Sequence, residues 1–102
     1  MAYRSEIAPQ ALAQALETFD WIASDSPERA ERWLVGFFEH VESLHDMPLR
    51  CPVAVDITAI GKVVRELHYG GRRALHRILF TIQGDLVRVE AVWHSARGEI
   101  GL

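Results

Sequence analysis

One cysteine and one lysine stand in 102 residues, and no apolar run is long. A lone Cys51 excludes an internal disulfide, and without a second thiol a zinc site would need histidines and carboxylates at ligand spacing. His40 and His45 are five apart, which puts them on different faces of a helix. No metal and no cofactor is therefore expected. The opening Met1-Ala2-Tyr3-Arg4-Ser5-Glu6 has no apolar segment behind its basic residue, and nothing approaches the roughly 20 apolar residues of a membrane span. A cytoplasmic protein with no membrane partner is expected. Internal repeats and low-complexity runs are also missing.

What is present suits a small globular fold. At 49% hydrophobic and 25% charged, with nine aromatic residues, the chain can bury one core but not two, so residues 1–102 are expected to form one domain. The net charge of −3 hides an asymmetry. Residues 1–60 carry four arginines against ten carboxylates, net −6, while residues 61–102 carry seven basic residues against four acids, net +3. Any anion-facing surface is expected in the second half, although both halves also suit plain solvated faces.

Hydrophobic spacing predicts the elements. Residues 3–7 alternate and end before Pro9, as in a strand turning into a helix with proline in its first turn. Ala8 is a poor cap for that helix. Leu12, Ala15, Leu16, Phe19, Ile22 and Ala23 then recur at three- and four-residue steps, predicting a helix over 9–24 with one buried stripe. Ser26 as cap, Pro27 at the first helical position and Glu28 near the positive helix end mark a restart. Ala30, Trp33, Leu34, Phe37, Val41 and Leu44 continue a second helix over 27–45. Residues 47–61, with Pro48 and Pro52, read as a long connection with a turn or short extended piece.

Three β-rich segments close the chain, at 62–68, 73–82 and 86–93, separated by Gly70-Gly71 and Gln83-Gly84-Asp85. Such short turns predict an antiparallel meander. Alternation places Ala74, His76, Ile78, Phe80 and Ile82 on one side of the middle strand, and Val87, Val89, Ala91 and Trp93 on one side of the last. Those apolar sides are expected to meet the helices, leaving Arg77, Arg88, Glu90 and His94 on the open face. The first of the three segments is ambiguous, since both of its sides mix apolar and charged residues. The fold class is α+β: a strand, a two-helix hairpin and a three-stranded antiparallel meander, β-α-α-β-β-β, with the helices on one face of the sheet.

That order resembles the RelE/ParE toxin superfamily. Fragments matching it are Tyr3-Arg4-Ser5-Glu6-Ile7, Ser26-Pro27-Glu28-Arg29-Ala30, Leu44 with Pro48, Val64-Arg65-Glu66-Leu67, His76-Arg77-Ile78-Leu79-Phe80 and His94-Ser95-Ala96-Arg97. The resemblance implies the toxin of a type II toxin-antitoxin pair, silenced by a cognate antitoxin whose C-terminal segment covers the helix pair or the sheet face. It implies no small-molecule substrate. RelE-like members cut mRNA on the ribosome, whereas ParE-like members act on DNA gyrase. His94-Ser95-Ala96-Arg97 is similar to the His-Gly-Ala-Arg ending of ParE-like members, and the low pI and single lysine fit poorly with strongly basic nucleases. Three readings stay open: a gyrase-directed inhibitor, a ribosome-dependent mRNA endonuclease, and an inactive toxin fold kept as a binding module.

For the nuclease, the superfamily pattern falls on Arg65, Arg77, His94 and Arg97. Cleavage of RNA needs a base for the 2′-hydroxyl, a cation for the phosphate and an acid for the leaving oxygen. Arg65 and Arg77 suit phosphate, Glu90 or His94 suit base and acid, and Arg97 offers a second phosphate contact. Each also has a structural reading. Arg77 is placed to pair with Glu90 across the ladder, Arg65 to meet an acid on the second helix, and His94 to cap or pack beside Trp93. His76, on the apolar side, is expected to be a buried, hydrogen-bonded histidine. Trp21, Trp33, Phe37 and Phe38 read as core, with some left as an antitoxin groove, and Arg72-Arg73 as a solvated hairpin tip.

Overall fold

Strand β1, Arg4–Ile7, leads with no intervening loop into helix α1, Pro9–Ala23. The computed structural model describes residues 2–55, 61–70 and 76–94. Ala8 caps α1 with no side-chain bond, as its chemistry dictates. The sheet holds the helix start instead, because the Ala8 amide donates to the Val89 carbonyl at 2.8 Å. Helix α2, Pro27–Ser43, has the expected cap: Ser26 is extended, and its hydroxyl accepts the Arg29 amide at 3.3 Å. Two residues separate the hairpin's last helical residue from that cap, and the helices pack against each other.

After α2 the chain turns sharply. Met47 is left-handed, with φ 49°, and Pro48–Arg50 form a single 3-10 turn. Arg50 ties the corner down, its Nη1 donating to the carbonyls of Asp46 at 2.9 Å and Met47 at 3.2 Å. The chain then runs briefly beside the start of β2, Arg65–Tyr69, through a Val53–Arg65 bridge and an Ala54 amide bond to Val64 of 2.7 Å. The long connection thus contains both the turn and the short extended piece that its prolines imply.

Strands β3, His76–Gln83, and β4, Leu86–His94, complete a four-stranded sheet in the order β1-β4-β3-β2. The pairs β2·β3 and β3·β4 are antiparallel, whereas β1 runs parallel to β4 at the sheet edge. The main core lies between the helices and one sheet face, with Ala11, Ala15, Trp33, Phe37, Val41 and Leu44 against Ile78, Phe80, Val87, Val89 and Val92. A smaller cluster of Ala54, Val64, Leu79 and Ala91 lies elsewhere. Leu79 alternates with the core residues Ile78 and Phe80, so this cluster covers part of the sheet's far face. The ambiguity of β2 is thereby resolved: Leu67 and Tyr69 pack on the main core, while Val64 joins the second cluster.

Regular alternation fails in β4. Leu79 pairs with Ala91 but Phe80 pairs with Val89, which leaves Glu90 as the extra residue of a bulge. A bulge shifts the period-2 pattern by one. Val87 and Val89 face the helices before it, and Val92 and His94 after it. Ala91 and Trp93, expected on the helix side, turn to the far face. His94, expected on the far face, turns to the helices. Past the end of β1, the Val92 amide is taken by Gln14 Oε1 of α1 at 2.8 Å.

The stripe on α1 is also rotated by one position. Ala11, Ala15 and Thr18 are buried, while Leu12 and Leu16 stay exposed. Small residues on the inward line let α1 approach β4 closely, and the larger leucines are left outside. The Gly70-Gly71 turn from Gly71 on, residues 73–75 of the predicted middle strand and the Arg72-Arg73 tip lie outside the described residues.

Candidate functional site

Of the four positions singled out in the sequence, the three among the described residues do not share one surface. Arg65 shares its side of β2 with Leu67 and Tyr69, and its Nη1 donates to the Cys51 carbonyl at 2.7 Å. It meets this carbonyl, not an acid of α2, because the 51–54 segment crosses beside the start of β2. Arg77 points to the far face. Its Nε donates to Glu66 Oε2 at 3.1 Å, and Nη2 bonds the same oxygen. The expected partner, Glu90, is drawn off by the bulge and accepts from Thr81 Oγ1 at 2.9 Å, with Arg88 Nε 3.4 Å away. Arg97 lies outside the described residues.

His94 stands on the opposite side of the sheet from Arg77, in a cluster of rings. Its ring is 4.7 Å from that of His76 and 6.3 Å from that of Trp21. His76 is buried, as its place on the apolar side predicts, with Trp33 at 5.1 Å and Tyr69 at 6.4 Å. Tyr69 in turn donates to the Trp33 carbonyl at 2.6 Å, fastening β2 to α2. This contact requires glycine at position 36, where a Cβ would collide with the Tyr69 hydroxyl. Burial pushes the Tyr69 phenol above its usual range, and the charge of Glu39 adds to the shift. Burial likewise raises the Cys51 thiol. A raised, buried thiol is no nucleophile.

Beyond the small cluster, the far face is a chain of ion pairs. His68, which the sequence reading passed over, donates Nε2 to Glu66 Oε1 at 2.8 Å, so Glu66 bridges His68 and Arg77. Arg88 reaches Glu6 of β1 at 2.5 Å as well as Glu90. Arg4 pairs with Asp85 at 3.1 Å, which holds the Asp85 carboxyl below the usual range. The signal available in sequence was the i, i+2 spacing of Glu66 and His68, which puts both on one side of a strand.

The helical hairpin has the opposite character. Leu12 and Leu16 of α1 and Val35 and Phe38 of α2 are exposed, and Trp21 is 66% exposed at the corner. Trp33 and Phe37, by contrast, are core. Beside Trp21, a concavity is lined by Ile22, Ser24, Asp25 and Arg29. Among the described residues no helix is long and apolar enough to cross a membrane.

A strand, a helical hairpin and three further strands closing into one sheet is the architecture expected of the RelE/ParE superfamily, and the comparisons narrow it. The family described as "ParE toxin of type II toxin-antitoxin system, parDE" matches residues 6–98. In structure, the chain is similar to one from the chromosomal ParDE TA system from P. aeruginosa, with a TM-score of 0.72 and 15% identity. The alignment covers 91% of this chain and 96% of that one, and at such identity the likeness is one of fold. Among curated proteins no match is found. The chain belongs to the ParE toxin family of type II toxin-antitoxin systems, the ParE-like branch of the superfamily its sequence resembles.

Proposed function

We propose that this toxin arrests growth in the cytoplasm by binding DNA gyrase, and that a cognate antitoxin neutralises it by covering the apolar side of the helical hairpin, with residues 1–102 acting as one domain. The observation that carries the choice of a protein target over RNA is the separation of the three candidate nuclease residues that are described. Arg77 lies on the far face in the grip of Glu66, Arg65 is bonded to a backbone carbonyl, and His94 is on the helix side. In-line cleavage needs base, acid and cation around one phosphate. A surface that binds protein needs only complementary apolar area with aromatic anchors, which Leu12, Leu16, Val35, Phe38 and Trp21 offer. The antitoxin reading rests on the same residues, since an extended partner that folds on binding buries such a line.

Induced expression of the chain alone, with growth, plasmid supercoiling and transcript integrity followed together, tests the reading. Growth arrest with altered supercoiling and intact transcripts is expected, and co-expression of the neighbouring antitoxin should relieve it. Arrest with codon-phased cuts that disappear in Arg77→Ala would replace it with the nuclease. No arrest from soluble, folded protein would leave the inactive binding module.

A further inference from the structure

The apolar line on the helical hairpin is bordered by carboxylates. Leu12, Leu16 and Asp20 stand four residues apart and share one row of α1. On α2, Glu31 comes four residues before Val35, and Glu39 and Glu42 come four after Val35 and Phe38. Asp20, Glu31, Glu39 and Glu42 are all exposed, and among the described residues none of them forms an ion pair. Over residues 9–43, seven carboxylates stand against Arg29 and Arg32, net −5 with histidine left aside. Arg29 is already paired with Asp25 at 3.3 Å, and α1 contains no basic residue at all.

That border selects what can cover the line. A second copy of the chain would bring one acidic hairpin against another, and a nucleic acid or an anionic lipid would be repelled in the same way. We propose that the segment covering the hairpin is basic and amphipathic. Its apolar side chains fill the line of Leu12, Leu16, Val35 and Phe38, and lysines or arginines on its flanks meet Asp20, Glu31, Glu39 and Glu42. The inference rests on the reading that the antitoxin covers this face, and it adds the chemistry of the antitoxin's segment. Apolar contacts carry most of the affinity, because exposed ion pairs contribute little singly. The border steers the encounter and rejects acidic segments of equal hydrophobicity. The far face of the sheet does not compete for such a segment, since its carboxylates Glu6, Glu66, Asp85 and Glu90 already face arginines of the chain itself.

The test is calorimetric titration of the full chain with the neighbouring antitoxin and with two synthetic helical peptides. The peptides share one leucine pattern, and carry either lysine or glutamate at the flanking positions. The lysine peptide should bind at least about tenfold more tightly than the glutamate peptide, and its affinity and the antitoxin's should both fall as salt is raised. Glu31→Lys with Glu42→Lys should weaken both ligands by at least about tenfold and flatten their salt dependence. Glu31→Gln with Glu42→Gln repeats the comparison with a milder change in case the reversed pair loses its fold. Leu16→Ser with Phe38→Ser locates the binding on the hairpin. An antitoxin weakened by the serine variant but bound as well or better by the charge variants overturns this proposal and leaves the hairpin reading standing. An antitoxin indifferent to both sets of variants overturns the hairpin reading, and this proposal with it. A lysine peptide that binds no better than the glutamate peptide, or antitoxin binding that does not respond to salt, also overturns the proposal.

Discussion

The outer side of the hairpin and the far face of the sheet both meet water, and they are built on opposite terms. On the hairpin, leucines, a valine and two aromatic side chains are left exposed although the core beneath them is already filled by Ala11, Ala15, Trp33 and Phe37. On the sheet, arginines and carboxylates that suggest ligand binding are tied to each other: Arg77 to Glu66, Arg88 to Glu6 and Glu90, Arg4 to Asp85. Apolar surface that the fold does not need points to a partner. Charge that the fold has already paired does not. The presence of a basic residue at a candidate site therefore says little until its neighbours are known.

Substitutions can break each side of that contrast separately. The largest effect is expected on the hairpin, where Leu16→Glu with Phe38→Glu should weaken antitoxin binding by about 3 kcal/mol or more, roughly 100-fold, as loss of central apolar anchors does. Calorimetric titration reads the affinity. Thermal unfolding of the free toxin should move little, because both side chains are already exposed. On the sheet face, Glu66→Ala should reverse the pattern, costing about 2 kcal/mol of stability by removing the Glu66 carboxylate from a mostly buried guanidinium, while antitoxin affinity stays near wild type. Urea denaturation of the single variant against Glu66→Gln with Arg77→Met measures it, and the double variant should recover part of the loss.

Smaller effects sharpen the contrast at its margins. Met47→Gly should raise stability by about 0.5 kcal/mol, since relief of a left-handed conformation worth about 1–2 kcal/mol outweighs the added chain entropy of glycine. Met47 is 68% exposed, so little packing is lost. A fall in stability would mean that the methionine contacts something the fold requires. The smallest change belongs to Arg4→Gln. Asp85 has its pKa lowered chiefly by the hydrogen bond from Arg4, so this stabilisation is present above the carboxyl's unfolded value and is lost as pH falls through the folded one. Removing Arg4 should flatten the stability profile below about pH 4, with the small loss falling at neutral pH and none at low pH, where Asp85 is protonated in either case.

How much of this was legible in the residues differs from element to element. Both helices, the Ser26 cap, the weak start at Ala8 and the three-stranded meander follow from spacing and turn chemistry, because these are local properties. The parallel docking of β1 against β4 does not, since nothing in Arg4–Ile7 names its partner strand. The stripe of α1 was displaced by one position because leucine outweighs alanine in any hydrophobic pattern, whereas close approach of helix and sheet selects alanine. The faces of β4 were misassigned after Glu90 for a related reason: alternation assumes a ladder without insertions. Arg77 was recognised as important and its partner was not, because pairing across a ladder depends on a register that the bulge alters. His68 carried no apolar pattern to draw attention to it.

Glu90 does one more thing. In a regular strand every side chain's destination is settled by whether its number is odd or even, and this residue changes the rule midway, so that odd positions are inward up to Val89 and even positions are inward from Val92. β4 is therefore two strands of opposite parity joined at one residue. Deleting position 90 would restore regular alternation from Val89 to Ala91, leaving Val92 and His94 on the helix side and Trp93 on the far face. One extra residue thus exchanges the meaning of odd and even without moving any later side chain from its face.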